Sequence, residues 1–259
     1  METDGEITFD TGDGIMEVTI NRPAVRNALD PSAHRRLAGI FDAFAADDRL
    51  RVAIITGSGD RAFCVGSDLK ARLASGGDRM PATGFAGLCE RFDLEKPVIA
   101  AINGDCIGGG LEIVLACDLA LTVPHARFGL PEPRVGLVAA GGLHRLARSL
   151  PAKLAMEIAL TGQLFDAAKA QGHGLVNAVV PAGADVLQDA RKLAAQIVEC
   201  APLATKATKQ MIARGLEAPS LAAAFAGDYP AYREMLQSND AVEGSRAFLE
   251  KRRPNWTGR

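Results

Sequence analysis

Apolar positions recur along the chain with two different periods. Ile7–Phe9 and Glu17–Ile20 alternate apolar and polar residues, which predicts two short strands joined by the turn Thr11–Gly14. Arg51–Thr56, Pro97–Ile102 and Val176–Val180 are short continuous apolar runs and predict buried strands, with another at Ala62–Val65. Ala33, Leu37, Ile40, Phe41 and Phe44 fall at helical spacing through Ala46, with Asp30 as the cap and Pro31 at the first helical position. Gly141–Ser149 and Ala152–Leu160 predict helices, the second closed by Gly162, and Asp166 caps a short helix ending at Gly172. Residues 71–90 mix Gly, Pro, Ser and charge and read as a mobile loop with some helix. From Val186 onward only helical periodicity remains, over 184–199, 202–214, 219–236 and 240–251. Strands alternating with helices, then helices alone, predict an α/β core over 1–198 and a helical region over 199–259.

The stretch Lys96–Glu132 holds the densest candidate chemistry. A buried strand runs into the turn-rich segment Asn103–Gly110, which ends in three glycines and opens a helix containing Glu112. A helix start of this kind presents backbone N–H groups at the positive end of the helix dipole, where negative charge is stabilised. A second carboxylate, Glu132, follows a second apolar run. The glycine spacing does not match a dinucleotide fingerprint, and no GK[ST] closes a phosphate loop.

Composition narrows the function classes. Hydrophobic residues make up 48% of the 259 residues, enough for a sizeable core. Lys+Arg number 29 against Asp+Glu 31, for a net charge of −2, so no basic excess suggests a nucleic-acid or membrane surface. Five cysteines lie in or beside apolar stretches without a CxxC, as expected for reduced, buried thiols. Four scattered histidines form no metal-ligand pattern, so no metal site is expected. The N-terminus is acidic and polar rather than a targeting sequence, and no apolar run approaches a membrane span; a cytoplasmic location is expected.

Taken in order, the motifs resemble the crotonase (enoyl-CoA hydratase/isomerase) superfamily. They are Asn21-Arg22-Pro23 with Arg26-Asn27-Ala28-Leu29, then Ala62–Leu69, Lys96–Gly104, Gly108-Gly109-Gly110 with Glu112, Phe128–Glu132, Thr161-Gly162 and Ala247–Arg252. The resemblance implies a spiral of ββα units with a C-terminal helical region. It implies an acyl-CoA thioester as substrate, no cofactor beyond the coenzyme A of that substrate, and a homotrimer or dimer of trimers. By position it assigns oxyanion-holding N–H groups to Ser67 and Gly109. It places Val25, Arg26, Asn27, Ala28, Asp68, Leu69, Lys70 and Gly108 along the CoA and acyl site. Phe248 and Lys251 are expected to reach the CoA of the same or a neighbouring subunit.

The resemblance also implies that Glu112 and Glu132 select the chemistry, since hydratases carry both and isomerases often keep one. Adding water needs one group to deprotonate it and another to protonate the α-carbon. Glu112 is assigned to the water and Glu132 to the α-carbon, as a coupled pair. Asp68 and Asp118, competing acids, are read as structural. The expected activity is reversible hydration of a 2-trans-enoyl-CoA. The alternatives are an isomerase, a specialised dehydratase, or a non-catalytic acyl-CoA binder, which would need neither glutamate. The loop after Glu132 departs from the hydratase pattern and resembles subgroups that include carnitinyl-CoA dehydratase-like proteins. Val138, Leu143 and His144 in and after this loop are expected to line a reshaped acyl pocket.

Overall fold

The computed structural model describes residues 6–76 and 80–259. In chain order the elements are β1 (Ile7–Gly12), β2 (Ile15–Ile20), α1 (Pro31–Ala46), β3 (Val52–Gly57), β4 (Ala62–Cys64), α2 (Leu69–Ala74), β5 (Val98–Ile102), β6 (Asp105–Ile107), α3 (Gly109–Ala116), β7 (Leu119–Thr122) and β8 (Arg127–Gly129). There follow α4 (Leu143–Ser149), α5 (Ala152–Thr161), β9 (Phe165–Asp166), α6 (Ala167–Gly172), β10 (Ala178–Val179), α7 (Val186–Val198), α8 (Pro202–Glu217), α9 (Leu221–Phe225), α10 (Pro230–Gln237) and α11 (Asn239–Leu249).

The strands form two sheets, ordered β1-β2-β3-β5-β7-β10 and β4-β6-β8-β9. Each successive pair, β3 with β4, β5 with β6 and β7 with β8, gives one strand to each sheet. The chain therefore winds as a spiral, one parallel step per turn. Strands β3 and β5 are buried at every position, as parallel strands covered on both faces must be, which explains their unbroken apolar runs. In the β1–β2 hairpin, by contrast, Met16, Val18 and Ile20 alternate inward.

Caps set the helix starts where side chains predict them. Asp30 accepts the Ala33 N–H at 2.8 Å, and Asp166 accepts that of Lys169 at 2.8 Å. Asp118, at the foot of α3, accepts from the Val98 N–H at 2.8 Å and from Lys209 Nζ at 2.7 Å. It therefore ties helix α8 to the spiral, the structural role predicted for it.

Three expectations need correction. Asn103–Gly110 is not only a turn, because β6 lies within it, masked by the turn residues on either side. The helical segment 219–236 is broken into α9 and α10, since Gly227 and Pro230 interrupt it. Residues 71–90 are not one mobile loop: α2 ends at Ala74, residues 77–79 lie outside the described residues, and Gly84–Cys89 is buried core. Glycines and charges flank Phe85, Leu88 and Cys89 in the sequence and hide their burial.

Candidate active site

Each glycine before Glu112 admits a different neighbour. Gly108 has a φ of +59° and stops the strand β6. Gly109 lies under the ring of Phe85, and Gly110 lies against the carbonyl of Cys64; a β-carbon at either would overlap its neighbour. The close approach lets α3 begin just past the end of β6, an interior strand of the smaller sheet, with Glu112 in its first turn. The Leu111 and Glu112 N–H groups return to the Gly108 carbonyl, whereas Gly109 occupies the first, intrahelically unpartnered donor position.

A second backbone segment meets this helix start. The Leu29 N–H donates to the Gly66 carbonyl, and the Asp68 N–H donates to the Leu29 carbonyl, both at 2.8 Å. In this parallel bridge the peptide N–H of Ser67 points away from Leu29. Gly66, at φ +94°, approaches so closely that a β-carbon there would lie 3.1 Å from the Gly109 nitrogen. Ser67 and Gly109 therefore belong to abutting turns. Asp68 caps α2 through the Lys70 and Ala71 N–H groups, each at 3.2 Å, and receives Arg22 Nη2 at 3.4 Å.

Glu132 starts a 3-10 turn, Glu132–Val135, directly after β8. The Leu137 N–H closes the loop onto the Glu132 carbonyl at 2.9 Å, and Arg134 Nε bonds the Thr161 carbonyl at 3.1 Å. Glu112 is buried and Glu132 half-buried. Among the described residues, neither Oε1 of Glu112 nor Oε2 of Glu132 has a hydrogen-bond partner. Two buried, unsatisfied carboxylate oxygens mark a place built for a ligand or water. Burial, and secondly the charge of Glu132, push Glu112 up to about 7, against opposing backbone hydrogen bonds from Gly141 and Gly142. Burial raises Glu132 as well. A proton on the pair is therefore held to higher pH than on an ordinary carboxylate.

The remaining predicted residues are more dispersed. Leu69 and Lys70 are exposed at the start of α2, beside Ser67. Val25 is exposed and Arg26 half-buried, with Nη2 3.6 Å from Asp105. Ala28 is buried. Asn27 faces inward: it is fully buried, donates to Ala62 O at 2.7 Å and Ser58 O at 3.1 Å, and accepts from Arg22 N at 3.0 Å. Its side chain is thus engaged within the fold, so a contact between Asn27 and a ligand would fall to its backbone. Val138 is 69% exposed, Leu143 packs against the core, and His144 is exposed on α4. Phe248, 83% exposed, and Lys251 stand at the end of α11, away from the core. Among the described residues no cluster of His, Cys, Asp or Glu could hold a metal ion, and no helix is long and apolar enough to cross a membrane.

The family model described as Enoyl-CoA hydratase/isomerase matches residues 10–259. The chain belongs to this family. It is 43% identical to the carnitinyl-CoA dehydratase of Proteus mirabilis over 258 residues, covering 96% of this chain and 97% of that one. The carnitinyl-CoA dehydratase of Escherichia coli is 43% identical over 252 residues, covering 95% of each. Among solved structures, the enoyl-CoA hydratase of Mycobacterium marinum superposes with a TM-score of 0.91 at 41% identity, over 99% of this chain and all of that one. That of Mycobacterium tuberculosis gives 0.90 at 40% identity, covering 99% of this chain and 100% of that one. The spiral and the helical C-terminus are thus those of an enoyl-CoA hydratase/isomerase family member. Three features that pack against the predicted site residues carry little meaning in the sequence alone. Gly66 follows a strand as any turn glycine does. Gly141 and Gly142 were legible as a helix start but not as donors to Glu112. Phe85 cannot be told in the sequence from nearby Phe92, which is 80% exposed.

Proposed function

We propose that this enzyme reversibly adds and removes water across the 2,3 bond of an acyl-CoA thioester, with Glu112 and Glu132 acting about one water. The observation that carries this reading is the pair of neighbouring carboxylates, each with a buried oxygen that has no hydrogen-bond partner and each raised in pKa by burial. In hydration the water oxygen bonds to C3 as Glu112 takes its proton, and Glu132 delivers a proton to C2. The double-bond electrons pass through an enolate whose oxygen is held by the Ser67 and Gly109 N–H groups. Two such fixed donors each contribute about 10²–10³ in rate. At the end Glu112 is protonated and Glu132 ionised, and exchange with solvent resets the pair.

The dehydration of a specialised 3-hydroxyacyl-CoA is the reading that the 43% identity to carnitinyl-CoA dehydratases supports. Two glutamates argue against a pure isomerase. We further assign CoA contacts to Val25, Arg26, Leu69 and Lys70, and acyl contacts to Val138. Catalysis lies in the spiral over 1–198, and 199–259 serves assembly as a trimer or dimer of trimers, with Phe248 and Lys251 covering CoA.

Crotonyl-CoA and carnitinyl-CoA test the proposal. The first loses, and the second gains, conjugated-thioester absorbance on turnover. Activity on either supports the water chemistry, and their kcat/KM ratio ranks the two substrates. If neither these nor other enoyl-CoA thioesters of short or medium length react, the proposal fails.

A further inference from the structure

The buried turn Phe85–Gly87 lies between α1 and the start of α3. Ala86 adopts a φ of +53°, which costs a residue with a β-carbon on the order of 1 kcal/mol and persists only where its surroundings impose it. Those surroundings are specific. The Ala86 N–H donates to Nδ1 of His34 at 3.1 Å, so that nitrogen carries no proton. His34 is fully buried on α1, and its ring meets that of Phe85 edge-on with centroids 4.5 Å apart. Gly87 is pressed against the Ala38 backbone, where no β-carbon fits. The ring held in this way covers Gly109: a β-carbon there would overlap Cε1, Cζ and Cε2 of Phe85.

We propose that Phe85, buttressed by His34, is a positioning residue that aims the Gly109 N–H at the thioester oxygen. The inference rests on the donor role assigned to Gly109 above. Gly108 and Gly109 both lack side chains, so the peptide between them has little of its own to restrain its plane. A donor contributes to the transition state only when it is aimed beforehand. The Phe85 ring supplies that restraint from one side, while Gly66 crowds the Gly109 nitrogen from another. The ring also keeps water from the donor's flank, which strengthens its hydrogen bond to developing charge.

The test uses Phe85→Leu, which keeps an apolar side chain but not the flat ring. It adds His34→Leu, which removes the acceptor for Ala86, and His34→Asn, which restores an oxygen near the place of Nδ1. Each is assayed for kcat and KM on the best thioester. Difference infrared spectroscopy then follows the carbonyl stretch of a bound enoyl-CoA isotope-labelled at that carbonyl. In the wild-type enzyme the stretch is expected to move to lower frequency. Phe85→Leu and His34→Leu are expected to lose most of that displacement and about 10–100-fold in kcat, with KM changed by less than about threefold, and His34→Asn to recover most of both. Folded Phe85→Leu enzyme with wild-type kcat and carbonyl frequency overturns the inference, as does a loss confined to KM. If His34→Leu does not fold, Phe85→Leu and His34→Asn decide alone. A wild-type enzyme that turns over enoyl-CoA with no carbonyl displacement removes the donor role itself, whereas a displaced wild type with an unaffected Phe85 variant removes only the role of Phe85.

Discussion

Gly108 and Glu132 face each other so closely that a β-carbon on Gly108 would sit 2.8 Å from Oε1 of Glu132. The Gly108 N–H also donates to the Gly129 carbonyl at 2.8 Å, so the entry to α3 and the exit from β8 hold each other in place. Gly108→Ala therefore carries two penalties. Its backbone, at φ +59° and ψ −127°, suits glycine alone, and the new methyl displaces the carboxylate. A loss of about 1–3 kcal/mol in stability is expected. Turnover should fall at least tenfold at a temperature where the variant is fully folded, measured by thermal melting and enoyl-CoA hydration. Unchanged turnover would remove Glu132 from the chemistry.

Glu112 links activity to stability through pH. Its carboxyl is raised from 4.5 to about 7, so between those values the folded chain holds a proton that the unfolded chain has released. Stability then falls as pH rises through this window, by on the order of 3 kcal/mol in total, and the contribution is fully present only below 4.5. Glu112→Gln removes the titration, so its urea midpoint should lose this slope and equal or exceed that of the wild type above pH 7. Its kcat should fall by orders of magnitude, as should that of Glu132→Gln. Because the charge on Glu132 raises Glu112, Glu132→Gln should also shift the Glu112 titration to lower pH, readable by infrared spectroscopy of the carboxylate.

The loop opposite crowds Glu112 as well. A β-carbon on Gly142 would approach Cγ of Glu112 to 2.9 Å, and one on Gly141 would lie 3.3 Å from Oε2 and 3.2 Å from Cβ of Cys89. Gly142→Ala must turn the Glu112 side chain, whereas Gly141→Ala asks its neighbours to yield a few tenths of an ångström. The first should cost more in kcat. Both loosen backbone hydrogen bonds that favour the ionised carboxylate, so each should move the Glu112-dependent limb of the pH–rate profile to higher pH. A limb moving to lower pH would contradict the assignment of those donors.

Much of this architecture is legible along the chain because its causes are local. Asp30 and Pro31 announce α1, Gly162 closes α5 in left-handed backbone, and the parallel strands β3 and β5 are mostly apolar and buried throughout. Strand β6 is hidden because it opens on a charged residue, Asp105, and turn residues flank it on both sides. Phe85 is invisible because its partner Gly109 is distant in sequence, and burial imposed by a remote backbone leaves no local pattern. The glycines Gly108–Gly110 stand out as a motif, but the three neighbours that require them, Glu132, Phe85 and Cys64, come from different turns of the spiral. The carboxylate pair could be named from its motif, while the reason one member keeps a proton lies in burial that only the folded chain creates.

Asn27 gives the sharpest contrast between motif and geometry. It stands in the motif that suggests CoA binding, yet its amide bridges the carbonyls of Ser58 and Ala62 in the interior, at a φ of +58°. Asn27→Asp keeps the shape and a residue that tolerates left-handed backbone, so only the donor is lost. An ionised carboxylate would face two carbonyl oxygens with no route to water. The loss should be about 3–5 kcal/mol at neutral pH. The protonated acid can still donate to one carbonyl, so the penalty should shrink in acid. The aspartate pKa is therefore raised in the folded variant, and stability is greatest below the unfolded value of about 3.9 and lost as pH rises. Urea midpoints at mildly acidic and mildly alkaline pH measure this directly. Because Asn27 adjoins Leu29, which brackets Ser67, the folded variant should lose kcat more than affinity for CoA. A wild-type midpoint with a raised KM for the thioester would instead return Asn27 to the ligand site.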